Sequence, residues 1–406
     1  MRFADPDSKI DYDVIVVGAG PGGSFAAKTA AAAGASVLLI DRRKEIGAPV
    51  RCGEGISQNW LTTLGLKADP AWAAYQIAGA RLFSPEGRSI KVEEPDTKGY
   101  VVERKIFDKT LAADAGRAGA DIMVKTEVTG VLKDGSKVTG IEAIGHDGQK
   151  FTARSKVLIA ADGAESTVAR MAGLNTVAAL YDTDFGYEYE MVNVDCEPYI
   201  DLYFGTKIAP RGYVWIFPKR ADVANVGIGI GGLEKPNAKL YLDKFVKEHP
   251  RLKKAQPIDI KGGAIPVGEP LHNVTADGLM VIGTAAHQVD PIHGGGMGLA
   301  ADAGRIAGEM AAAAIKAGDV SGKRLDAYRV EWEKRHAGKM MSRLRLRKVL
   351  ERLNDDDWNA VVGALGESEL EQLLHGNFGP AAKKVILKRP QLLKIVGVLI
   401  EQRLGV

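Results

Sequence analysis

Only two cysteines, Cys52 and Cys196, occur among the 406 residues, so the chain forms at most one disulfide and has no zinc-ligand spacing. No apolar run approaches the ~18–20 residues of a membrane-spanning helix, and residues 1–13 contain no apolar signal-peptide core. Lys and Arg number 54 against 51 Asp and Glu, a bias too small to favour nucleic-acid binding. We therefore expect a cytoplasmic protein, with peripheral contact to the inner face of the cell membrane left open.

Composition and length favour a folded chain of about two domains. Hydrophobic residues make up 46% and charged residues 26% of the sequence, which excludes a collagen-like or largely disordered protein. Glycine is the exception, with 48 residues against 17 prolines. The surplus lies mainly in two segments, each directly after an apolar run, and these segments carry the first functional signals.

The first glycine-rich segment lies inside a predicted strand–helix–strand unit near the N-terminus. Residues 13–17 are a β-branched apolar run typical of a buried strand, residues 24–33 an alanine-rich helix, and residues 36–40 a second strand. Glycines between strand and helix let the backbone approach a pyrophosphate closely, at a helix end with free N–H groups. We predict a dinucleotide site here, of a type that this motif alone does not specify. Its residues are Gly18, Gly20, Gly22, Gly23 and, for the ribose hydroxyls, Asp41.

Two later segments repeat the pattern of a buried strand followed by a turn. The apolar run 156–161 stops at Asp162, which indicates either a turn near the cofactor phosphates or a plain turn. The run 279–282 leads into the second glycine-rich segment, which opens an alanine-rich helix predicted over 296–317. The candidate cofactor residues are Asp162, Thr284, Gly295, Gly296 and Met297. Two flanking histidines are candidate proton relays, or else ordinary loop residues: His287 and His293.

Between residues 181 and 261 the pattern changes to short strands separated by glycine, proline and charged turns, which predicts an antiparallel sheet. Tyr213, Trp215 and Phe217 alternate along one of these strands, so their side chains fall on one face. Three aromatic rings with no charge nearby suit a flexible apolar chain. An ordinary sheet core is the more frequent explanation of such a pattern.

The glycine-rich motif, the Asp162 turn and the late glycine-rich turn together resemble the flavoprotein fold of the para-hydroxybenzoate hydroxylase and glutathione reductase class. Within that class, PVRCGEG at 49–55 and YVWIFP at 213–218, followed by GIG at 227–229, resemble the geranylgeranyl reductases. The first of these most resembles the archaeal enzymes that saturate digeranylgeranylglycerophospholipids. The likeness runs from about residue 12 to about residue 317. One position departs from it, since Thr284 stands where this fold usually has Asp.

The resemblance implies an α/β protein with a Rossmann-type FAD-binding domain, an inserted antiparallel-sheet substrate domain and a helical C-terminal region. The FAD-binding domain would comprise residues 1–180 and 262–320, with part of the catalytic loop region at 42–100. The substrate domain would span 181–261 and the helical region 321–406. These boundaries are predictions that combine the change of pattern along the sequence with the resemblance.

The resemblance also implies roles for individual residues. Gly22 would line the pyrophosphate turn, Asp41 would hold the ribose, and the Val128 backbone would meet the adenine. Arg104 would reach the cofactor from the start of a predicted helix. Six residues would line the flavin and its ribityl chain: Cys52, Gly53, Gly55, Thr284, Gly296 and Met297. The aromatic strand would wall a tunnel for isoprenoid chains.

The implied reaction is saturation of geranylgeranyl C=C bonds by hydride transfer from reduced flavin together with a proton. Cys52 is a candidate proton donor or gate, although a lone buried cysteine is usually a small apolar residue; the neighbouring Arg51 would favour its thiolate. No second dinucleotide motif is evident, so we expect an external electron donor, and the resemblance implies a ferredoxin-like one. The basic segment 334–348 could meet anionic lipid headgroups or an acidic donor, or be a solvated helix face.

Two other functions stay open. An FAD-dependent aromatic hydroxylase or halogenase shares the fold and uses reduced flavin with oxygen, but residues 213–218 match the halogenase pattern WxWxIP only in part. A lipid carrier that keeps FAD as a structural group is the alternative that is not an enzyme. Thr284 is the feature that leaves this alternative open.

Overall fold

The computed structural model describes residues 10–93, 97–235, 237–374 and 379–390. Its strands are β1 Ile10–Val17, β2 Val37–Ile40, β3 Gly55–Ser57, β4 Ala73–Ile77, β5 Gly79–Phe83, β6 Ser89–Val92, β7 Gly99–Val102, β8 Asp121–Met123, β9 Glu127–Asp134, β10 Lys137–Ile144, β11 Lys150–Ala160, β12 Thr183–Val192, β13 Tyr199–Tyr203, β14 Tyr213–Pro218, β15 Val223–Gly231, β16 Gln256–Pro266, β17 Thr275–Ala276 and β18 Leu279–Val281. Its helices are α1 Pro21–Ala32, α2 Gln58–Thr63, α3 Arg104–Arg117, α4 Thr167–Met171, α5 Ala238–Glu248, α6 Met297–Lys316, α7 Gly322–Leu325, α8 Ala327–Leu350, α9 Asp355–Ala364, α10 Glu367–Leu374 and α11 Gly379–Lys388.

The first sheet is the parallel core that the N-terminal pattern predicts. Strand β1 lies between β11 and β2 and pairs parallel with both, while β18 and β8 extend the sheet on either side. Residues 14–17 and 37–40 are all buried, because helices α1, α3 and α6 pack over this core. The carboxyl ends of β1, β2, β11 and β18 therefore meet at one edge, where such sheets bind ligands.

The second sheet has seven strands in the order β16-β12-β15-β14-β13-β5-β6. The predicted sheet at 181–261 is present, but its composition differs from the expectation in two ways. Strands β5 and β6 come from the 42–100 stretch and complete the sheet, and β13 pairs parallel with β5, so the sheet is mixed. Its edge strand β16 also continues to Pro266. The domain boundaries themselves stay a prediction.

Residues 121–134 form two separate strands, although residues 121–131 alone have the apolar pattern of a single strand. Strand β8 joins the edge of the parallel sheet, whereas β9 forms a hairpin with β10. The break falls at Lys125, whose φ of 49° lies in the left-handed region. Here the chain turns to bond the backbone carbonyls of Arg43 and Asp41, which brings Val128 to the edge where the parallel strands end.

The C-terminal region is helical from α7 to α11 in its described part; residues 391–406 lie outside the described residues. Helix α8 packs on α6, and its Tyr328 and Trp332 are buried in the main core. Trp358 of α9 packs with Ile90 and Val92 of β6. Among the helices that the structure describes, none combines the length and apolar character needed to cross a bilayer.

The basic segment 334–348 lies on α8 and is not a uniformly solvated face. Arg347 is 7% exposed and donates to the Asp184 carboxylate of β12 and to the Pro291 carbonyl. Arg343 forms an ion pair with Asp290 in the late glycine-rich turn. These two arginines hold α8 against the rest of the protein, so their charges are not available to a lipid headgroup or an acidic donor.

Candidate functional site

A cleft of about 710 Å³ lies between the carboxyl edge of the parallel sheet and one face of the seven-stranded sheet. One wall is formed by the loops that follow β1, β2, β11 and β18. The facing wall is formed by β12, β14 and β16. Most of the predicted site residues line this cleft: Gly18, Gly20, Gly22, Asp41, Cys52, Gly53, Arg104, Val128, Asp162, Trp215 and Thr284.

The glycine loop after β1 is tight on its sheet side and open on its cleft side. Gly18 has φ +104°, and a Cβ there would lie 2.3 Å from the Ala161 carbonyl oxygen. At Gly20 no described atom would come within 4 Å of a Cβ, and no described side chain caps the N-terminus of α1. The first N–H groups of α1 are thus free to bind an anion. Gly23 has a packing role instead, since a Cβ there would lie 1.8 Å from the Gly18 carbonyl oxygen.

Asp41 ends β2 at the cleft and is 3% exposed. Its Oδ1 accepts from the Arg43 backbone N–H and Nε (2.8 Å each), and its Oδ2 accepts from Arg43 Nη2 (2.6 Å) and the Ala19 N–H (2.9 Å). Burial opposes ionisation, but the bonds from Arg43 hold the Asp41 pKa below its ordinary value. All four lone-pair positions of this carboxylate are filled, so the predicted bond to a ribose requires Arg43 to move.

Asp162 presents an unpaired buried acceptor on this wall. Its Oδ2 accepts from the Val168 N–H (2.9 Å) and Thr167 Oγ1 (3.2 Å). Its Oδ1 is buried without a hydrogen-bond partner among the described residues. Burial raises the pKa of this carboxyl group above its ordinary value. A buried orphan acceptor beside an open helix N-terminus fits a cofactor that carries both a phosphate and hydroxyl donors.

Cys52 lines the cleft, and Arg104 acts on its thiol pKa there, whereas the sequence suggested Arg51 for this role. Burial raises the pKa of the Cys52 thiol, and Arg104 opposes this rise. Arg51 pairs its guanidinium with Glu165 at 2.8 Å. Arg104 itself lines the cleft and forms a bidentate ion pair with Asp108.

The late glycine-rich turn supplies Thr284 to the cleft, while its other predicted residues lie behind the lining. Gly296 caps the start of α6, and Met297 packs in an apolar cluster that Cys52 also contacts. Gly295 donates its N–H to His293 Nδ1 at 3.0 Å. The remaining predicted glycine outside the lining, Gly55, lies against the Phe217 ring.

Neither predicted histidine is among the residues that line the cleft. His287 is buried, its Nε2 lies 3.1 Å from the Thr176 carbonyl oxygen, and burial lowers its pKa. His293 is about half exposed, with Nε2 beside Asp290 and Arg343. The structure therefore places both as supports of the turn; their role as proton relays stays a prediction.

The aromatic strand lies where the sequence predicts it, with one difference. The rings of Tyr213, Trp215 and Phe217 follow one another along β14 at centroid distances of 5.8 and 6.2 Å. Of the three, Trp215 lines the cleft. The expectation that no charge lies nearby is wrong, because Trp215 Nε1 donates to Glu188 Oε2 at 2.8 Å.

Glu188 belongs to a buried group of charges that the sequence did not predict, here called the carboxylate cluster. It comprises Glu54, Glu103, Glu188, Glu190, Lys219, Lys261 and Asn225. Glu54 is 1% exposed and its Oε2 accepts from Lys219 (2.9 Å) and Lys261 (2.8 Å). Burial opposes ionisation of Glu54, yet the two lysines lower its pKa below the ordinary value.

Glycines of the GIG segment explain how the indole reaches this cluster. Gly227 lies opposite both Glu188 of β12 and Trp215 of β14. A Cβ at Gly227 would lie 2.3 Å from the Trp215 ring. The missing side chain therefore lets the indole lie flat across β15 and bond Glu188.

Two family models match the chain. Residues 11–198 match the FAD binding domain and residues 182–265 match the geranylgeranyl reductase catalytic domain. A digeranylgeranylglycerophospholipid reductase of Methanocaldococcus jannaschii is 44% identical over 388 residues, which cover 94% of this chain and 97% of the relative. This chain belongs to the geranylgeranyl reductase family. It is an FAD-dependent oxidoreductase, as predicted from the sequence.

Further comparisons agree with this assignment. A digeranylgeranylglycerophospholipid reductase of Methanocella arvoryzae is 40% identical and covers 96% of this reductase and 100% of its own chain. A geranylgeranyl bacteriochlorophyll reductase-like protein from Thermoplasma acidophilum superimposes with a TM-score of 0.88 at 38% identity, covering 95% of this chain and 98% of its own. A flavin-dependent brominase reaches a TM-score of 0.70 at 22% identity, covering 95% and 98%, which shows a common fold alone.

Proposed function

We propose that this reductase saturates the C=C bonds of geranylgeranyl chains in digeranylgeranylglycerophospholipids, the precursors of archaeal membrane lipids. One observation carries the proposal: a single cleft has a dinucleotide-type wall on one side and, on the other, a strand of aromatic side chains from the segment that matches the geranylgeranyl reductase catalytic domain. Relatives that are 40–44% identical over nearly the whole chain have this activity in their names.

On the cofactor wall, the open N-terminus of α1 and the glycine loop would bind the FAD pyrophosphate. Gly20 leaves the backbone accessible, whereas Gly18 and Gly22 allow close packing against Ala161 and Ala300. Asp162 would accept a hydrogen bond from the cofactor through its orphan Oδ1. The hydroxyl of Thr284 would take the place of the usual carboxylate near the ribityl chain. Reduced FAD, when bound, supplies the hydride for the reaction.

On the facing wall, this chain's own residues would position the alkene and keep water away from it. The Trp215 indole borders the cleft and is fixed by its bond to Glu188. Tyr213 is fixed in turn, because its hydroxyl donates to the His293 carbonyl at 2.7 Å. Rigid aromatic rings hold a flexible prenyl chain mainly by apolar contact.

Electrons would come from a separate ferredoxin-like protein, and the enzyme would act at the periphery of the membrane that holds its substrate. Both proposals follow from the chemistry of the lipid and from the family, and both are testable with purified components. Reduced ferredoxin should reduce the bound flavin under nitrogen, whereas NADPH alone should not. Vesicles with the lipid substrate should co-sediment with the enzyme more strongly than vesicles without it.

The direct test is an anaerobic reaction with dithionite as reductant and digeranylgeranylglycerophosphate as substrate, followed by mass spectrometry. We expect products heavier by successive pairs of hydrogens. Trp215→Leu should weaken the reaction without preventing FAD binding, and Leu233→Ala, an exposed residue outside the cleft, serves as the control. Unchanged lipid, together with oxidation of an aromatic substrate when oxygen is admitted, would instead indicate a hydroxylase.

A further inference from the structure

The carboxylate cluster carries more negative than positive charge. Four carboxyl groups and two ammonium groups are joined by ion pairs of 2.8–3.3 Å, so full ionisation would leave two uncompensated negative charges. Glu54 and Glu188 are almost fully buried, so such an excess beside them is costly, and one carboxyl group that keeps its proton reduces it. The hydrogen bonds identify which group this is.

Lys261 has three N–H donors, and all three have better partners than Glu188. They point to Glu54 Oε2 (2.8 Å), Asn225 Oδ1 (2.9 Å) and Glu190 Oε2 (3.1 Å). Lys261 lies directly opposite Glu188 in the sheet, but its nitrogen is 3.3 Å from Oε1 without hydrogen-bond geometry. Lys219 is likewise fully used by Glu54, Glu103 and Glu190.

Glu188 is thereby left with one hydrogen-bonded oxygen and one oxygen that has the longer ion pair with Lys261. Oε2 accepts from the Trp215 indole, while Oε1 is buried and has no hydrogen-bond partner within the described part of the chain. The residue is 3% exposed, yet it lines the cleft between Tyr187 and the aromatic wall. A proton on Oε1 would lower the excess from two negative charges to one and would lie beside the space proposed for the alkene.

We propose that Glu188 is the proton donor of the reduction, held as a neutral carboxylic acid at the cleft until a C=C bond is positioned against it. This inference rests on the proposed function and deepens it. The π bond of the alkene breaks and two C–H bonds form. One takes a hydride whose two electrons come from the reduced flavin, and the other takes the Glu188 proton. Glu188 is left as a carboxylate and regains its proton from water before the next bond.

The surroundings of Glu188 agree with a proton held near neutral pH. Its pKa is raised to about 7: burial is the largest cause and Glu54 adds to the rise, while Lys261 and the Trp215 N–H oppose it. The titratable or charged groups around it are Glu190 on its own strand, Lys261 on β16, Lys219 after β14, and Cys52 and Glu54 on the RCGEG loop. Cys52 is the competing donor, but burial raises its thiol pKa above the ordinary value of 9.0.

The first test reads the protonation state without turnover. Infrared titration of the FAD-loaded protein should show a carboxylic acid carbonyl band that disappears as the pH rises through about 7. The band should be absent from Glu188→Gln and present in Glu103→Gln, which alters a member of the cluster that contacts Lys219 alone. A wild-type protein with no such band, or a band that survives in Glu188→Gln, overturns the inference.

The second test reads the reaction in single turnover with dithionite-reduced enzyme. The wild-type rate should fall as the pH rises through about 7, and Glu188→Gln should be about 10²–10⁴-fold slower while binding FAD normally. A Cys52 donor would instead give a rate that stays level until the pH passes 9.0, and would make Cys52→Ser the slow variant. That result contradicts the role of Glu188.

Trp215→Phe gives a second variant that keeps the ring and removes the N–H. Because this N–H stabilises the carboxylate, its loss should raise the pKa of Glu188 and move the alkaline fall of the rate to higher pH. A rate that falls with no change in its pH profile would mean that Trp215 and Glu188 are merely structural. Wild-type enzyme that reduces no lipid refutes the proposed function, whereas lipid reduction that is unchanged in Glu188→Gln refutes only the proton donor.

Discussion

The two walls of the cleft are built on opposite principles. The cofactor wall presents mainly backbone to its ligand: glycines and a helix end, whose partial dipoles would meet the charge of a phosphate. The facing wall is made of side chains, and behind its aromatic surface lies a buried cluster of full charges. The first kind of wall suits any ligand that carries a phosphate. The second keeps one carboxyl group, that of Glu188, protonated at a fixed position in the proposed mechanism.

The largest effect should come from breaking the charged wall. Lys219→Met removes an almost fully buried ammonium group and adds one uncompensated negative charge to the cluster, although Glu54 keeps its pair with Lys261. We therefore expect the unfolding free energy to fall by about 3–5 kcal/mol. Urea denaturation measures this change. Lys239→Met removes a lysine from the exposed pair with Asp243 and should change the unfolding free energy far less, because solvent screens this pair. Equal effects of the two variants would show that burial of the cluster has no energetic consequence.

The pH dependence of the unfolding free energy should depend on Glu188, which lies in the same wall. Since burial raises the Glu188 pKa to about 7 from an ordinary 4.5, the folded protein keeps a proton that the unfolded chain loses. Its contribution to stability is present below pH 4.5 and is lost as the pH rises to about 7, a difference of about 3 kcal/mol at 1.36 kcal/mol per unit. Glu188→Gln should remove this part of the slope in denaturation curves, and a slope that persists would contradict the assignment.

The cofactor wall should lose affinity for FAD when one added methyl group distorts its glycine loop. Gly18→Ala places a Cβ 2.3 Å from the Ala161 carbonyl oxygen at φ +104°, so the loop must shift, and we expect FAD affinity to fall about 100-fold. Flavin fluorescence titration measures the affinity. Gly119→Ala has a similar φ of +107° with open space around it, and it should leave FAD binding unchanged. Loss of FAD in both variants would mean that backbone strain, and not the clash, is responsible.

A smaller effect should show whether a change in the facing wall leaves FAD binding at the cofactor wall intact. Gly227→Ala pushes on the Trp215 ring at 2.3 Å, whereas at Gly229 the same change makes an ordinary contact at 3.8 Å. We expect Gly227→Ala to lose about 1–2 kcal/mol of stability and to slow lipid reduction, with FAD affinity retained. Gly229→Ala should resemble wild type in thermal unfolding and turnover. Reduced FAD affinity in Gly227→Ala would show that the two walls are coupled.

The same contrast explains what the sequence could predict. Strand β1, the glycine loop and α1 are continuous in sequence, and their spacing alone specifies a phosphate-binding turn. The parallel order around β1 and the aromatic row on β14 follow from equally local patterns. Asp162 was a candidate for the same reason, although its orphan oxygen became visible only in the structure.

The carboxylate cluster could not be predicted in this way, because its members come from six separate segments. Glu188 meets Lys261 and Trp215 only through the register of four neighbouring strands, and register depends on pairing across the whole sheet. A weaker signal was present, since Glu188 and Glu190 place two acids on one face of a strand, and Lys219 directly follows the YVWIFP segment. The role of Arg104 beside Cys52 was likewise hidden by the nearer Arg51.

The most direct test of the account is a stopped-flow experiment under strict exclusion of oxygen. Dithionite-reduced enzyme, freed of excess reductant, is mixed with digeranylgeranylglycerophosphate while the flavin absorbance is followed. The account predicts reoxidation of one flavin for every C=C bond lost from the lipid, with a rate that falls as the pH rises through about 7. Flavin that stays reduced in the presence of the lipid would contradict it.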